Sequence, residues 1–146
     1  MKYWFILLAI ICGAIFPIQA GLNNKLTKIT SNPIITTFFS VMIGFLSIFF
    51  YVIITKQKFP TFIKITESPW YVWLAGTLGT IYVGSIIFLV PKLGIAFTFS
   101  LVVTGQIAVS VLLDHFGIFG VREPITLGKI VGSLLIILGV IAVRYG

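Results

Sequence analysis

Long segments without a charged residue dominate this chain and restrict what it can fold into. Four of them, residues 3–24, 29–55, 68–91 and 93–113, contain 22, 27, 24 and 21 residues. A helix needs roughly 20 apolar residues to cross the hydrocarbon core of a bilayer. A fifth segment, 130–143, has 14 residues, and it reaches about 20 when Lys129 extends its charged end toward the interface. Because hydrocarbon offers a free backbone no hydrogen-bond partner, these segments must be helical.

The composition agrees with a membrane interior. Apolar residues make up 59% of the chain and charged residues 9%, whereas a soluble domain carries about 25% charged residues. This balance excludes a disordered chain, a disulfide-stabilised scaffold and a water-soluble enzyme. We therefore predict an all-α integral membrane bundle of five transmembrane helices, surrounded by lipid and forming one domain over residues 1–146. The predicted helices span about residues 3–22, 33–55, 69–90, 93–113 and 125–144.

The first segment also permits a second interpretation. Residues 1–20 have a charged start and a hydrophobic stretch, and they end in Ile18-Gln19-Ala20, which is similar to a signal-peptide cleavage site. The hydrophobic stretch is longer than that of most signal peptides, and four more apolar segments follow it instead of a soluble domain. We expect this segment to remain as the first transmembrane helix.

The cations between the segments predict the orientation. Short connections make consecutive helices antiparallel neighbours, which assigns six cations to the side of the N-terminus and four to the opposite side. The first group is Lys2, Lys56, Lys58, Lys64, Arg122 and Lys129, and the second is Lys25, Lys28, Lys92 and Arg144. Cations are in excess on the cytoplasmic side, so we predict a cytoplasmic N-terminus. The small excess leaves open insertion in both orientations and assembly as an inverted pair.

The residue types needed for enzyme or metal chemistry are scarce. The chain has one Cys, one His and three acidic residues, which cannot form a metal cluster or a nucleophile–base–acid set. Its glycines form no phosphate-binding loop, and its net charge of +7 comes from scattered cations rather than a basic face that would bind nucleic acid. We predict no enzymatic activity, no metal site, no cofactor and no nucleic-acid partner.

The fourth predicted helix carries polar residues at four-residue spacing. Gln106, Ser110 and Asp114 therefore share one face. An amide left without hydrogen bonds inside a membrane costs on the order of 1–3 kcal/mol, so Gln106 must face another helix or a wet cavity. One interhelical hydrogen bond and contact with a solute explain Gln106 equally well.

The first predicted helix has a second polar region near its end. Pro17 removes a helical hydrogen bond and bends the helix shortly before Gln19 and Asn23. Transporters place broken helices of this kind at their binding sites, although a proline and a capping Asn also occur at ordinary helix ends. The predicted substrate-cavity residues are Gln19, Asn23, Gln106 and Ser110.

Charged residues are absent from the central part of the first four segments. A buried charge relay is therefore unsupported, and a cavity lined by amides and hydroxyls suits a small neutral or zwitterionic solute. Asp114 and His115 form the one pair predicted to respond to protons, because a carboxylate beside an imidazole can titrate near neutral pH. Simple solvation at the membrane interface is the alternative for this pair.

Small residues recur at helical spacing on the third and fifth predicted helices. Such stripes let helix backbones approach closely in lipid, where apolar faces gain little from meeting each other. The predicted helix-packing residues are Gly76, Gly79, Thr80, Gly84, Gly128 and Gly132.

Several short motifs together resemble the YdcZ-like family, five-helix members of the drug/metabolite transporter superfamily. They are PIQAGLNNKL at 17–26, WLAGTLG at 73–79, VPKLGIA at 90–96, GQ at 105–106, DHFG at 114–117 and GKIVG at 128–132. Ala75 stands where the family pattern has a second glycine, and Lys129 where arginine is more usual. Gln19, Asn23, Gln106 and Asp114 match polar positions of the family.

This resemblance implies an exporter-like transporter of the inner membrane. The superfamily includes ten-helix carriers built from two inverted five-helix halves, so a lone half is expected to pair with a second copy, in an antiparallel arrangement if it inserts both ways, or with a homologous half. We expect alternating access between two such halves around a central cavity. A small dual-topology ion channel and a non-transporting scaffold or accessory subunit are the alternatives.

Overall fold

The computed structural model describes residues 2–61, 65–120 and 122–145, so Lys64, one of the cations used for orientation, lies outside the described residues. The helices are α1 (Lys2–Thr30), α2 (Pro33–Ile54), a 3₁₀ helix (Trp70–Trp73), α3 (Leu74–Leu93), α4 (Ile95–Phe116) and α5 (Leu127–Tyr145). Within the described ranges, five helical segments are long and apolar enough to cross a membrane, and no strand occurs. The predicted all-α, five-helix fold is confirmed.

Helix α1 is longer than the apolar segment from which it was predicted. It passes through Pro17 and continues beyond residue 22, through Asn23 and Lys25, to Thr30. Lys28 lies in the last turn, where a cation is favourable beside the partial negative charge of the helix C-terminus. The helix can therefore extend from hydrocarbon into the polar interface without a break.

A tight turn reverses the chain between α1 and α2. Ser31 adopts a left-handed conformation with φ of 53°, and Asn32 is extended. The side chain of Asn32 accepts hydrogen bonds from the backbone N–H groups of Ile34 at 2.8 Å and Ile35 at 3.3 Å, and Pro33 occupies the first helical position. This N-cap satisfies donors that the helix start would otherwise leave free.

Three threonine hydroxyls fasten the two helices beside this turn. Thr36 is fully buried, and its hydroxyl donates to the carbonyl oxygen of Asn32 at 3.2 Å. The hydroxyls of Thr27 and Thr30 lie 3.1 Å and 2.8 Å from Thr36 Oγ1. Because one buried oxygen has partners on both helices, the hairpin holds its register at the membrane interface.

Helix α3 packs in the same compact unit as α1 and α2, which comprises residues 1–91. A Cβ atom built on Gly84 would lie 3.4 Å from the side chain of Thr37 on α2. The rings of Phe16 on α1 and Tyr82 on α3 meet edge to face at 6.2 Å. Ile87 is 1% exposed, so the core of this unit lies near the C-terminal half of α3.

Residues 92–146 form the second compact unit, in which α4 and α5 pack antiparallel. Helix α4 ends in a Schellman motif: Gly117, with φ of 65°, donates to the Asp114 carbonyl, and Ile118 donates to the Leu113 carbonyl. At the other end of the pair, the guanidinium of Arg144 lies 5.2 Å from the ring centroid of Phe97.

Few apolar side chains are buried within either unit. In the apolar stretch of each of the five membrane-spanning helices, no more than 11% of the residues are buried. An apolar surface of this extent is stable only against hydrocarbon or another protein surface. The protein is a multi-pass membrane protein.

Candidate functional site

The candidate site is a cavity of about 350 Å³ between α1 and α2. Helices α1 and α2 contribute residues at the three- and four-residue spacings that bring side chains to one helix face. The lining residues are Gln19, Leu22, Asn23, Leu26, Ser40, Ile43 and Gly44.

Asn23 is the most constrained polar residue of this cavity. The residue is 7% exposed, and among the described residues its amide has no hydrogen-bond partner. Its backbone carbonyl accepts a hydrogen bond from the Thr27 hydroxyl at 2.9 Å, which ties this turn of α1 to the threonine cluster. No fully buried side-chain nitrogen or oxygen of the described chain lacks a partner, so the amide atoms keep their small exposed area, which faces the cavity.

Gln19 and Ser40 add two further free polar groups to the same cavity. Neither side chain has a hydrogen-bond partner in the part of the chain that the structure describes. Several other serines of the helices behave differently: the hydroxyls of Ser47, Ser85 and Ser133 donate to the carbonyl four residues earlier. The cavity therefore collects three groups that could bond a ligand.

Sequence reasoning missed Ser40 as a member of the site. Ser40 and Gly44 look like a small-residue pair for helix packing, because they are four residues apart. In the structure they line the cavity, and a Cβ atom built on Gly44 would meet no atom within 4 Å. Only the arrangement of α1 against α2 distinguishes a close helix contact from an open space.

The cavity has no charged residue in its lining. Its polar groups are two amides and one hydroxyl, each able to donate and to accept, and the remaining lining is aliphatic. Such a surface can bind a small molecule that has an apolar body and uncharged hydrogen-bonding groups.

The other two predicted cavity residues lie in the second unit. Gln106 is the twelfth residue of the 22-residue helix α4, which places it at the middle of the span. Gln106 and Ser110 are exposed, and neither side chain has a hydrogen-bond partner within the described ranges. They form an exposed polar face on α4 and do not line the cavity between α1 and α2.

Asp114 and His115 help to hold the end of α4. The backbone carbonyl of Asp114 accepts hydrogen bonds from the N–H groups of Gly117 at 3.2 Å and Glu123 at 2.9 Å. His115 Nδ1 accepts one from the N–H of Ile125 at 3.3 Å. Both residues are half-buried, and these contacts attach the loop before α5 to α4. A response of this pair to protons stays a prediction.

Of the predicted helix-packing residues, Gly84 lies against a neighbouring helix. A Cβ atom on Gly76, Gly79 or Gly132 would meet nothing within 4 Å, and on Gly128 it would approach the side chain of Thr126. Thr80 donates its hydroxyl to the Gly76 carbonyl at 3.1 Å. The packing role of these positions against another chain stays a prediction. Among the described residues no group of His, Cys, Asp or Glu could hold a metal ion.

A family profile matches residues 4–142, almost the whole chain, and its description is "Putative inner membrane exporter, YdcZ". The chain belongs to the YdcZ family. The resemblance seen in the motifs is thereby confirmed. No curated protein and no solved structure matches this YdcZ-family chain significantly. The family is one of membrane transporters rather than enzymes, which agrees with five apolar helices and an uncharged cavity.

Proposed function

We propose that this YdcZ-family protein transports a small neutral or zwitterionic solute across the inner membrane, working as a pair of five-helix halves by alternating access. In each half, residues 1–146 form one transmembrane domain with a cytoplasmic N-terminus. The observation that carries the proposal is Asn23, a residue only 7% exposed whose amide has no partner among the described residues and opens to a cavity.

The free polar groups of the cavity favour a ligand site over a packing defect. A buried amide without hydrogen bonds costs on the order of 1–3 kcal/mol, and Gln19 and Ser40 line the same cavity. A solute that bonds these groups would recover that free energy. Because no lining residue is charged, a solute with a net charge would lose its hydration without gaining an ion pair.

The exposed face of α4 supports the pairing of two copies. At mid-span, the amide of Gln106 would meet acyl chains unless a protein surface covers it. A primary amide is both donor and acceptor, so the same residue of a second copy can bond it across a two-fold axis. The superfamily resemblance, with its ten-helix carriers, agrees with this arrangement.

Replacing Asn23 by leucine is expected to abolish transport and to stabilise the protein. Leucine has the same branched arrangement of side-chain heavy atoms and removes the unpaired amide, so we expect stability to rise by about 1 kcal/mol. Transport is measured by comparing the metabolites of cells with and without the protein, and then by uptake of the identified metabolite into vesicles. Stability is measured by unfolding in detergent.

Asn24→Leu is the matched control, because Asn24 is the next residue of α1 and does not line the cavity. It should leave transport unchanged. Equal loss in both variants, or full transport by Asn23→Leu, would contradict the proposed site. Flux that saturates with solute concentration supports a carrier, whereas high unitary conductance would indicate a channel.

A cysteine at position 106 is expected to cross-link two copies. The natural thiol of Cys12 is exposed and is first removed by Cys12→Ser. In that background Gln106→Cys should form a disulfide-linked dimer in membranes, as observed on a non-reducing gel. Ala108→Cys is the control, because two residues place it on the opposite side of α4. Cross-linking of Ala108→Cys alone would assign the interface to the other face.

A further inference from the structure

A second cavity, of about 400 Å³, lies between α2 and α3. It shares no lining residue with the cavity of Asn23. Its wall on α3 is a stripe with four-residue spacing, and its wall on α2 is the first turns of that helix. The lining residues are Pro33, Ile34, Thr37, Phe38, Thr80, Gly84 and Phe88. We call this cavity the α2–α3 groove.

The surface of the α2–α3 groove is apolar. Its two hydroxyl groups are already bonded within their own helices, Thr37 to the Pro33 carbonyl at 2.8 Å and Thr80 to the Gly76 carbonyl at 3.1 Å. The rings of Phe38 and Phe88 line the groove and are each more than half exposed. A hydrocarbon chain is therefore the group that fits the groove, in contrast to the free amides of the other cavity.

Uncompensated positive charge lies at one end of the groove. The groove begins at Pro33, the first residue of α2. Lys28 lies five residues earlier in the chain, in the last helical turn of α1. Lys25 and Lys28 are both exposed. No Asp or Glu precedes Glu67 in the sequence. Glu67 comes after the C-terminal end of the 22-residue α2, and that end is about 33 Å along the helix from Pro33. The chain that leads into this end of the groove is therefore cationic.

We propose that the α2–α3 groove binds an anionic phospholipid. One acyl chain lies along the groove between Thr80 and Pro33, and the phosphate group contacts the ammonium groups of Lys25 and Lys28. The two parts of the site match the two parts of such a lipid: an apolar channel and a cationic interface. This site is separate from the proposed solute cavity, and its test does not depend on transport.

The test measures the thermal stability of the purified protein in detergent with added lipid. Phosphatidylglycerol and phosphatidylcholine with the same acyl chains are compared, so that only the headgroup charge differs. We expect phosphatidylglycerol at about one hundred times its Kd to raise the Tm of the wild type by about 5 °C, and phosphatidylcholine to raise it less. Native mass spectrometry should show one retained phosphatidylglycerol for each chain.

Two test variants, each with its own control variant, separate the cationic part of the site from the apolar part. The double variant Lys25→Gln/Lys28→Gln should lose the preference for phosphatidylglycerol, whereas Lys56→Gln/Lys58→Gln, which removes two cations after the far end of α2, should keep it. Thr80→Phe fills the groove and should lose the stabilisation by either lipid. Thr77→Phe is its control, because Thr77 is exposed on α3 and does not line the groove.

Three results would overturn the proposal. Equal stabilisation by both lipids in the wild type would show that charge has no role. If the Lys56→Gln/Lys58→Gln variant loses the preference for phosphatidylglycerol as fully as the Lys25→Gln/Lys28→Gln variant does, the preference comes from general surface charge. A Thr80→Phe protein that keeps its lipid stabilisation would show that the lipid does not lie in the groove. If that protein also no longer forms the Gln106→Cys disulfide, a second copy of the chain is the occupant of the groove.

Discussion

Gly44→Leu is expected to reduce transport by about tenfold to a hundredfold without unfolding the protein. The new side chain would enter the cavity between α1 and α2, where a Cβ on Gly44 meets no atom within 4 Å. A solute excluded from this space loses its bonds to the amides and the hydroxyl, each contributing about 1 kcal/mol, and about 1.4 kcal/mol corresponds to a tenfold change in affinity. The measurement is uptake of the identified metabolite into vesicles.

The matched control for this variant is Gly13→Leu. Gly13 lies within α1, and a Cβ built there also meets no atom within 4 Å, but this residue does not line the cavity. Both variants make the same change inside an apolar helix, so they share any general effect on insertion or expression. Normal uptake by Gly44→Leu would place the solute path elsewhere.

Thr36→Val is expected to lower the free energy of unfolding by about 1–3 kcal/mol. Valine keeps the shape of threonine but removes the hydroxyl on which the contacts of Thr27 and Thr30 converge. Because Thr36 is fully buried, water cannot replace these hydrogen bonds, and the polar groups left behind carry a desolvation cost. The measurement is reversible unfolding of the purified protein in mixed micelles.

Thr98→Val provides the comparison for this prediction. Thr98 is also buried, at 1% exposed, but its hydroxyl makes one bond, to the carbonyl of Gly94 on the same helix. Its replacement should cost less than half as much as that of Thr36. Equal costs would mean that the threonine cluster contributes no more than an ordinary bond within a helix. A larger loss of transport in Thr36→Val would fit the contact of Thr27 with the Asn23 carbonyl.

The local pattern was sufficient to place Gln19 and Asn23 together. They are four residues apart, so any helix through them puts both on one face, and the structure places both in one cavity. The same reasoning grouped Gln106 with Ser110 on α4. It could not add Ser40, because no property of a single helix shows that a serine hydroxyl will lack a bond to its own backbone and face a neighbouring helix.

The ends of the helices were harder to predict than their number. Charge marks where a span leaves the hydrocarbon, but α1 continues past Lys25 to Thr30 and α3 includes Lys92. A helix satisfies its own backbone in water and in lipid alike, so a charged residue does not have to end it. The turn at Ser31 and Asn32, with its side-chain cap, sets the boundary of α1 instead.

The amino-acid sequence alone determined that this is a five-helix membrane protein of the YdcZ family, because charge-free segments of sufficient length have one stable form in hydrocarbon and because the family motifs are local in sequence. The tertiary structure decided which polar groups are free. Thr36 and Asn23 are both buried polar residues at the same hairpin, yet the hydroxyl of Thr36 is bonded to its neighbours and the amide of Asn23 faces a cavity. That difference depends on how α1 packs against α2, since a side chain finds or lacks a partner only when two helices are brought together.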